Sequence, residues 1–296
     1  MVIGDARLLA TWAPVRAVAT LAEARAVFGE ALPVLDLPLE RLPTPGQSSA
    51  DAAPHVVRWI EAAVGLALSG EASGVVTAPI AKATLYDAGF AYPGHTEFVG
   101  VLTAQAPFAG ERGPVMMLTA HDLRVALVTV HEPLARVPGL ITQDRIVRAG
   151  LVTAQALARD FGIAAPRLAV AGLNPHAGEG GALGEEEIAV VAPAIAALRA
   201  QGIDARGPYP ADSLFHEAAR AGYDAALCLY HDQALIPVKM LDFWGGVNLT
   251  LGLPIVRTSP DHGTAFDIAG KGVARPDSLI AALRLAAEIS ERRRAA

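Results

Sequence analysis

The sequence predicts an α/β fold with a mixed, mostly parallel sheet. Three observations carry this. Short apolar runs rich in β-branched residues alternate with longer segments of Ala, Leu, Arg and Glu. The short runs are apolar nearly throughout, rather than at every second residue, as in strands covered on both faces. And "VMMLTA" (115–120) is followed by "RVALVTV" (124–130) after the link "HDL". That link is too short for a helical crossover, so one step of the sheet is antiparallel.

In chain order, 37–54 is linker-like and leads into a helix-like segment over 51–69. "GVVTAP" (74–79) reads as a strand, followed by the hairpin just described and a helix over 142–160. "RLAVAGL" (167–173) is the next strand. In the helix over 185–201, acids open the first turn and Arg199 closes the last, both favourable to the helix dipole, and Gly202 ends it. A helix over 212–221, the strand "AALCLY" (225–230) and a last helix over 277–294 complete the pattern, with no internal repeat.

The 296 residues suit one large or two ordinary domains, and 52% hydrophobic against 18% charged residues make this a well-buried globular chain. A net charge of −6 argues against nucleic acid as a partner, though not against a small anion held by a few placed cations. The single cysteine, Cys228, allows neither an internal disulfide nor a cysteine metal knuckle, and a cytoplasmic setting is expected. No signal peptide and no apolar run of about 18 residues is found, so no membrane association is expected.

Most chemically capable residues fall just after strands. Lys82 follows the first strand, His131 the second arm of the hairpin, Asn174 and His176 the strand at 167, and His231 and Asp232 the strand at 225. Ligands of open α/β sheets bind beyond the carboxyl ends of the strands. A lone histidine there is most often a hydrogen-bonded loop residue. Three at successive strand ends put a divalent-metal site on equal footing with that reading, although no local HxxxH spacing supports it. "HAGEGGALGEEE" (176–187) spaces its glycines as GxGxxxG, one residue too long for a dinucleotide loop, and its acids would repel a pyrophosphate. Its glycines serve instead to bend the backbone around His176. His95 and Thr96 in "GHTEF" can hydrogen-bond an anion or open a helix. Lys239, Asn248 and Arg257 lie in an otherwise apolar stretch, where a cation more often serves a dedicated anion.

Together, "TAPIAKATLYDAGFAYPGHTEF", "VHEPL", "LNPHAGEGG", "GPYPADSLF", "YHDQALIPVK" and "GVNLTLGLPIVRTSPDHGTAFDIAGKG" resemble the 4-hydroxythreonine-4-phosphate dehydrogenase family from about residue 2 to residue 290. "DHGTAFDIAGKG" is also similar to the cofactor loop of isopropylmalate and isocitrate dehydrogenases. The resemblance implies a two-domain αβα sandwich of the isocitrate/isopropylmalate dehydrogenase kind, not a Rossmann fold. It implies a cofactor-binding domain from 1–95 with 235–296, a metal-binding and dimerisation domain from 96–234, and an active site in the cleft between them. Residue by residue, it implies His131, His176 and His231 as metal ligands. His95, Thr96, Lys239, Asn248 and Arg257 fall on substrate-binding positions, and Asp212, Asp232 and Lys239 on catalytic ones. His262, Gly263 and Asp267 lie in the cofactor loop. The implied cofactors are NAD, or NADP, and one divalent cation per site, Zn, Mg or Co; the implied assembly is a homodimer with shared active sites.

Two features depart from the family. Its members open with a strand and a "GDPAGIGPE"-like loop, whereas this chain starts near "VIGDARLL", which would leave a sheet position unpaired. Ala78 stands where the family has glycine. The expected reaction is metal-dependent oxidation of 4-phosphohydroxy-L-threonine by NAD to a 3-oxo acid, which decarboxylates to 3-amino-2-oxopropyl phosphate, in pyridoxine 5'-phosphate biosynthesis. Competing expectations are a sister enzyme for erythronate or threonate 4-phosphate, an aromatic dihydrodiol dehydrogenase, a tris-histidine hydrolase, and an inactive metal-binding dimer.

Overall fold

The computed structural model describes residues 1–92 and 94–295. The chain forms two compact units, Met1–Ala106 with His262–Arg275, and Pro107–Asp261 with Pro276–Ala296. The expected breaks at 95/96 and 234/235 therefore fall inside the units. The helix His95–Leu102 belongs to the first, while residues 235–261 belong to the second, because their strands hydrogen-bond into its sheet.

In the first unit, strands β1 (Val2–Gly4), β2 (Val15–Ala17) and β3 (Leu32–Asp36) form a parallel sheet in the order β1-β3-β2. The turn out of β1 is fixed by Asp5, which is buried and accepts from the backbone N–H groups of Arg7 and Leu39, both at 2.8 Å. The Arg7 guanidinium, 2.7 Å away, holds the Asp5 carboxyl well below the usual carboxylate range. The helix Ala53–Leu68 starts with Pro54, whose missing N–H is no loss in a first turn. A short strand, β4 (Val75–Val76), and the helices Lys82–Asp87 and His95–Leu102 follow. The stretch 37–54 read as a linker is packed: a Cβ on Gly46 would stand 3.0 Å from the Phe266 carbonyl, and Gly270 lies against Pro45.

The second unit is built on β5 (Val115–Ala120), β6 (Leu123–Leu127), β7 (Arg167–Ala171), β8 (Asp204–Tyr209), β9 (Ala225–Cys228), β10 (Val247–Leu251) and β11 (Arg257–Pro260). They run side by side as β11-β10-β5-β6-β9-β7-β8. The pairings from β11 to β6 are antiparallel, and those from β6 to β8 parallel. With the parallel first sheet, the fold is mixed α/β and mostly parallel, without a closed barrel. The β5–β6 hairpin turns at His121–Asp122, as the short link requires.

Register places two rows of side chains on opposite faces. Thr258, Leu249, Met117, Ala126, Leu227 and Val170 lie in one row, all nearly inaccessible. Ser259, Asn248, Leu118, Val125, Ala226 and Ala169 form the other. The helix His231–Leu241 covers the second face, seating Ala234 and Val238 against Met116, Leu118 and Val125. The C-terminal helix Asp277–Ala295 covers the first, where Thr258 Oγ1 donates to the Ala282 carbonyl at 2.9 Å. That helix is also clasped to the helix Gln143–Phe161. Buried Asp160 accepts from Arg159 and from Arg293, each at 2.7 Å, and burial, which alone would raise its pKa, is outweighed by the two guanidinium groups.

The segment 212–221, read as one helix, is two, Ala211–Leu214 and Glu217–Arg220. His216 is extended between them, and its ring caps the second. Among the described residues, no helix is long and apolar enough to cross a membrane.

Candidate active site

In the second unit, β6, β9 and β7 are adjacent and parallel, so their carboxyl ends share one edge. His131, His231 and His176 follow them in that spatial order. Two side chains tie the strand ends together just before the histidines. Buried Thr129 donates from Oγ1 to the Leu229 carbonyl at 2.6 Å, joining the ends of β6 and β9. Gln233 accepts from the Leu229 N–H and donates to the Gly172 carbonyl, both at 2.7 Å, joining β9 to β7. The polar residues of "YHDQ" thus divide their work: His231 and Asp232 face outward from the helix start, and Gln233 holds the sheet edge.

The rings of His131 and His231 lie 5.6 Å apart between centroids. Asp232 Oδ1 is 2.7 Å from His231 Nδ1. A carboxylate only accepts, so this contact places the proton on Nδ1 and leaves the Nε2 lone pair outward, the arrangement common behind metal-binding imidazoles. His176 is held on a loop in which 176 to 180 are all left-handed, with φ between 44° and 81°. Such a run is strained at its non-glycine residues, by roughly 1–2 kcal/mol each. Buried Glu187 secures it, accepting the N–H groups of Leu173 and Asn174 at 2.7 Å and the Asn174 amide at 2.9 Å. Burial opposes the Glu187 charge, but these donors win and lower its pKa. Gly178 is required here: its φ is +81°, and a Cβ would stand 2.7 Å from Glu187 Oε2. Among the described residues, no group of three or more His, Cys, Asp or Glu side chains gathers closely enough to hold a metal ion. The structure brings together His131 and His231, with Asp232. Asp212 opens the short helix 211–214, which packs against the His176 loop.

Asn248 and Arg257 lie on the other half of the sheet, and Lys239 lies in the last turn of the helix His231–Leu241. Asn248 and Arg257 lie on the face that the helix His231–Leu241 covers. Arg257 is 2% exposed and donates to Thr250 Oγ1 at 3.0 Å. Asn248 Nδ2 donates to the Met116 sulfur at 3.3 Å. Lys239 Nζ lies 2.7 Å from Asp261 Oδ2.

In the first unit, His95 and Thr96 open the helix His95–Leu102, and the Lys82 side chain runs beside Gly94, its Cε 3.4 Å from where a Cβ would be. The helix dipole and Lys82 give this spot positive potential. His262, Gly263 and Asp267 lie on an exposed loop of the same unit. A Cβ on Gly263 would meet nothing within 4 Å, so there is open room for a ligand against the backbone.

Sequence reasoning left Thr129, Gln233, Glu187 and Asp261 without roles. Gln233 had a signal, being polar in an apolar run. Glu187 had none, because it reads as one more acid of a helix first turn.

The solved structure of a 4-hydroxythreonine-4-phosphate dehydrogenase from Klebsiella pneumoniae superposes with TM-score 0.84 at 40% identity, covering 97% of this chain and 89% of that one. A terephthalate 1,2-cis-dihydrodiol dehydrogenase from Burkholderia xenovorans gives TM-score 0.62 at 29% identity, covering 97% and 89%. The fold thus places the chain in a class of mixed α/β proteins that includes both of these dehydrogenases. A 4-hydroxythreonine-4-phosphate dehydrogenase from Caulobacter vibrioides is 67% identical over 296 residues, 99% of this chain and 89% of the relative. The family model described as pyridoxal phosphate biosynthetic protein PdxA matches residues 1–286, and the chain belongs to that family.

Proposed function

We propose that the protein is a divalent-metal- and NAD-dependent dehydrogenase that oxidises 4-phosphohydroxy-L-threonine at its secondary alcohol to a 3-oxo acid, which loses carbon dioxide to give 3-amino-2-oxopropyl phosphate. The reading takes in a homodimer with shared sites in the cytoplasm. The observation that carries it is the His131–His231 pair at adjacent strand ends, with Asp232 on the inner nitrogen of His231. The donor chemistry of the His131–His231 pair suits a borderline divalent ion, which prefers imidazole nitrogen, although His176 is not gathered with them in this chain. His131 and His231, with His176, would hold it. When bound, the cation supplies Lewis acidity to the alcohol oxygen and then to the ketone. His262, Gly263 and Asp267 would hold the nicotinamide cofactor, which would supply the hydride acceptor.

The chain's own residues orient the substrate. Lys239 and Arg257 hold its anionic groups, with Asn248 adding an amide hydrogen bond, which fixes the carbinol hydrogen for transfer. His95 and Thr96 bind a further polar group at their helix start, and the phosphate adds binding energy away from the reacting carbon. Asp232 would fix the His231 tautomer, and Asp212, in the first turn of the helix beside the His176 loop, would move a proton.

The test is NADH absorbance with 4-phosphohydroxythreonine, before and after metal removal by a chelator. Turnover that is lost with the metal and restored by Zn, Mg or Co supports the reading. Turnover with erythronate or threonate 4-phosphate alone would move it to the sister enzyme. No NADH from any phosphorylated hydroxy acid would end it.

A further inference from the structure

Asp261 follows β11 directly and carries no role in the reading above. Its side chain is 13% exposed, and that of Lys239 is 27% exposed. Two oxygens of this one residue engage the Lys239 ammonium: Oδ2 at 2.7 Å, and the backbone carbonyl, to which Nζ donates. The ammonium's directed hydrogen bond goes to the carbonyl. Oδ2 has no other hydrogen-bond donor, so its charge is compensated by the ammonium alone. The Asp261 backbone is itself anchored, since its N–H donates to Ser278 Oγ at 2.9 Å and Ser278 in turn donates to the Gly246 carbonyl. The Phe243 ring closes another side, with its centroid 5.3 Å from Nζ.

An ammonium has three donors on a flexible four-carbon stem. Here the ammonium is held by the Asp261 carbonyl and carboxylate together, which leaves donor capacity for one further anionic group. We propose that Asp261 is the positioning residue of Lys239, holding the ammonium before substrate arrives so that its free side meets the anionic group of the phosphorylated hydroxy acid. The proposal rests on the reading that Lys239 binds that substrate. It removes the freedom that a lysine would otherwise lose on binding. It also separates two neighbours in sequence: Asp261 serves the substrate cation, and His262 and Gly263, the next two residues, serve the cofactor.

The experiment compares Asp261→Asn, Lys239→Met and the double variant, with Asp261→Glu as the conservative control. Asp261→Asn should raise the substrate KM roughly tenfold, in line with loss of one charge-assisted contact, and leave the NAD Kd from calorimetry unchanged. In the Lys239→Met background, Asp261→Asn should have no further effect, because its partner is gone. Asp261→Glu should recover part of the KM. Additive losses, or an equal shift in NAD affinity, would overturn the proposal in favour of a structural pair.

A second measurement does not need activity. Acetic anhydride labelling of Lys239, quantified by mass spectrometry, should rise several-fold in Asp261→Asn over the wild-type protein at equal folded fraction. Unchanged labelling would overturn the positioning even if no substrate were turned over. Increased labelling without NADH formation by the wild-type protein would leave Asp261 as the anchor of Lys239 and reject the dehydrogenase reading alone.

Discussion

On the parallel half of the large sheet, β6, β9 and β7 are apolar to their last residues, and the histidines begin where the ladder stops. On the antiparallel half, Asn248 stands inside β10, paired with Ser259, and Arg257 is part of β11 and 2% exposed. Strand-end groups are exposed and can be replaced with little effect on the core. Strand-interior groups are part of the packing, so a change there disturbs fold and site together. The comparison makes stability measurements as informative as kinetics.

The largest expected effect is a control outside both halves. Asp160→Asn leaves two arginines facing an uncharged amide in a buried site and should cost about 3–5 kcal/mol in urea unfolding. The folded pKa of Asp160 is lowered, so its contribution is present above the unfolded value of about 3.9 and is lost as pH falls through the folded value. The gap between variant and wild type should therefore be full at pH 7 and begin to close as pH falls below about 4, with substrate KM at pH 7 unchanged. A gap that widened in acid would contradict the assignment.

His231→Ala should break the strand-end side alone. Loss of metal and of roughly 10³-fold in kcat/KM, about 4 kcal/mol, is expected with unfolding stability changed by less than about 1 kcal/mol. Metal content by elemental analysis checks the first part, and a stability loss as large as the kinetic one would erase the contrast between the halves. Arg257→Ala tests the interior side. It should raise the substrate KM by the loss of about 1.5–3 kcal/mol, far more than the NAD KM, and also lower the melting temperature. The smallest effect belongs to Asp232→Asn, which should weaken metal binding by about 10- to 100-fold and leave the melting temperature in place.

The same contrast explains what could be read from the chain. Uninterrupted apolar runs gave away β5, β6, β7 and β9, and the residues following them pointed to the histidine edge. β10 and β11 were not read as strands, because Asn248, Thr250 and Arg257 interrupt the apolar pattern. β1 and β2, of three residues each, are too short to show a period, and Pro33 interrupts β3. The helix His231–Leu241 was hidden by Pro237 within it. The pairing of Lys239 with Asp261 spans 22 residues and depends on where β11 ends, which no local pattern reveals. The bend around His176 was legible from its glycines, but its carboxylate anchor, Glu187, was not.

Cys228 lies in β9 between β6 and β7, is fully buried, and its thiol is pushed well up by that burial. It is the single cysteine of the chain. Thiolate is the reactive form, so a thiol reagent should find this side chain closed in the folded protein and open once the strands part. The chain thus carries a native probe of its own opening. Labelling rates at Cys228 across denaturant would separate sheet-wide unfolding from local fraying, without a dye, a tag or any substitution near the histidines.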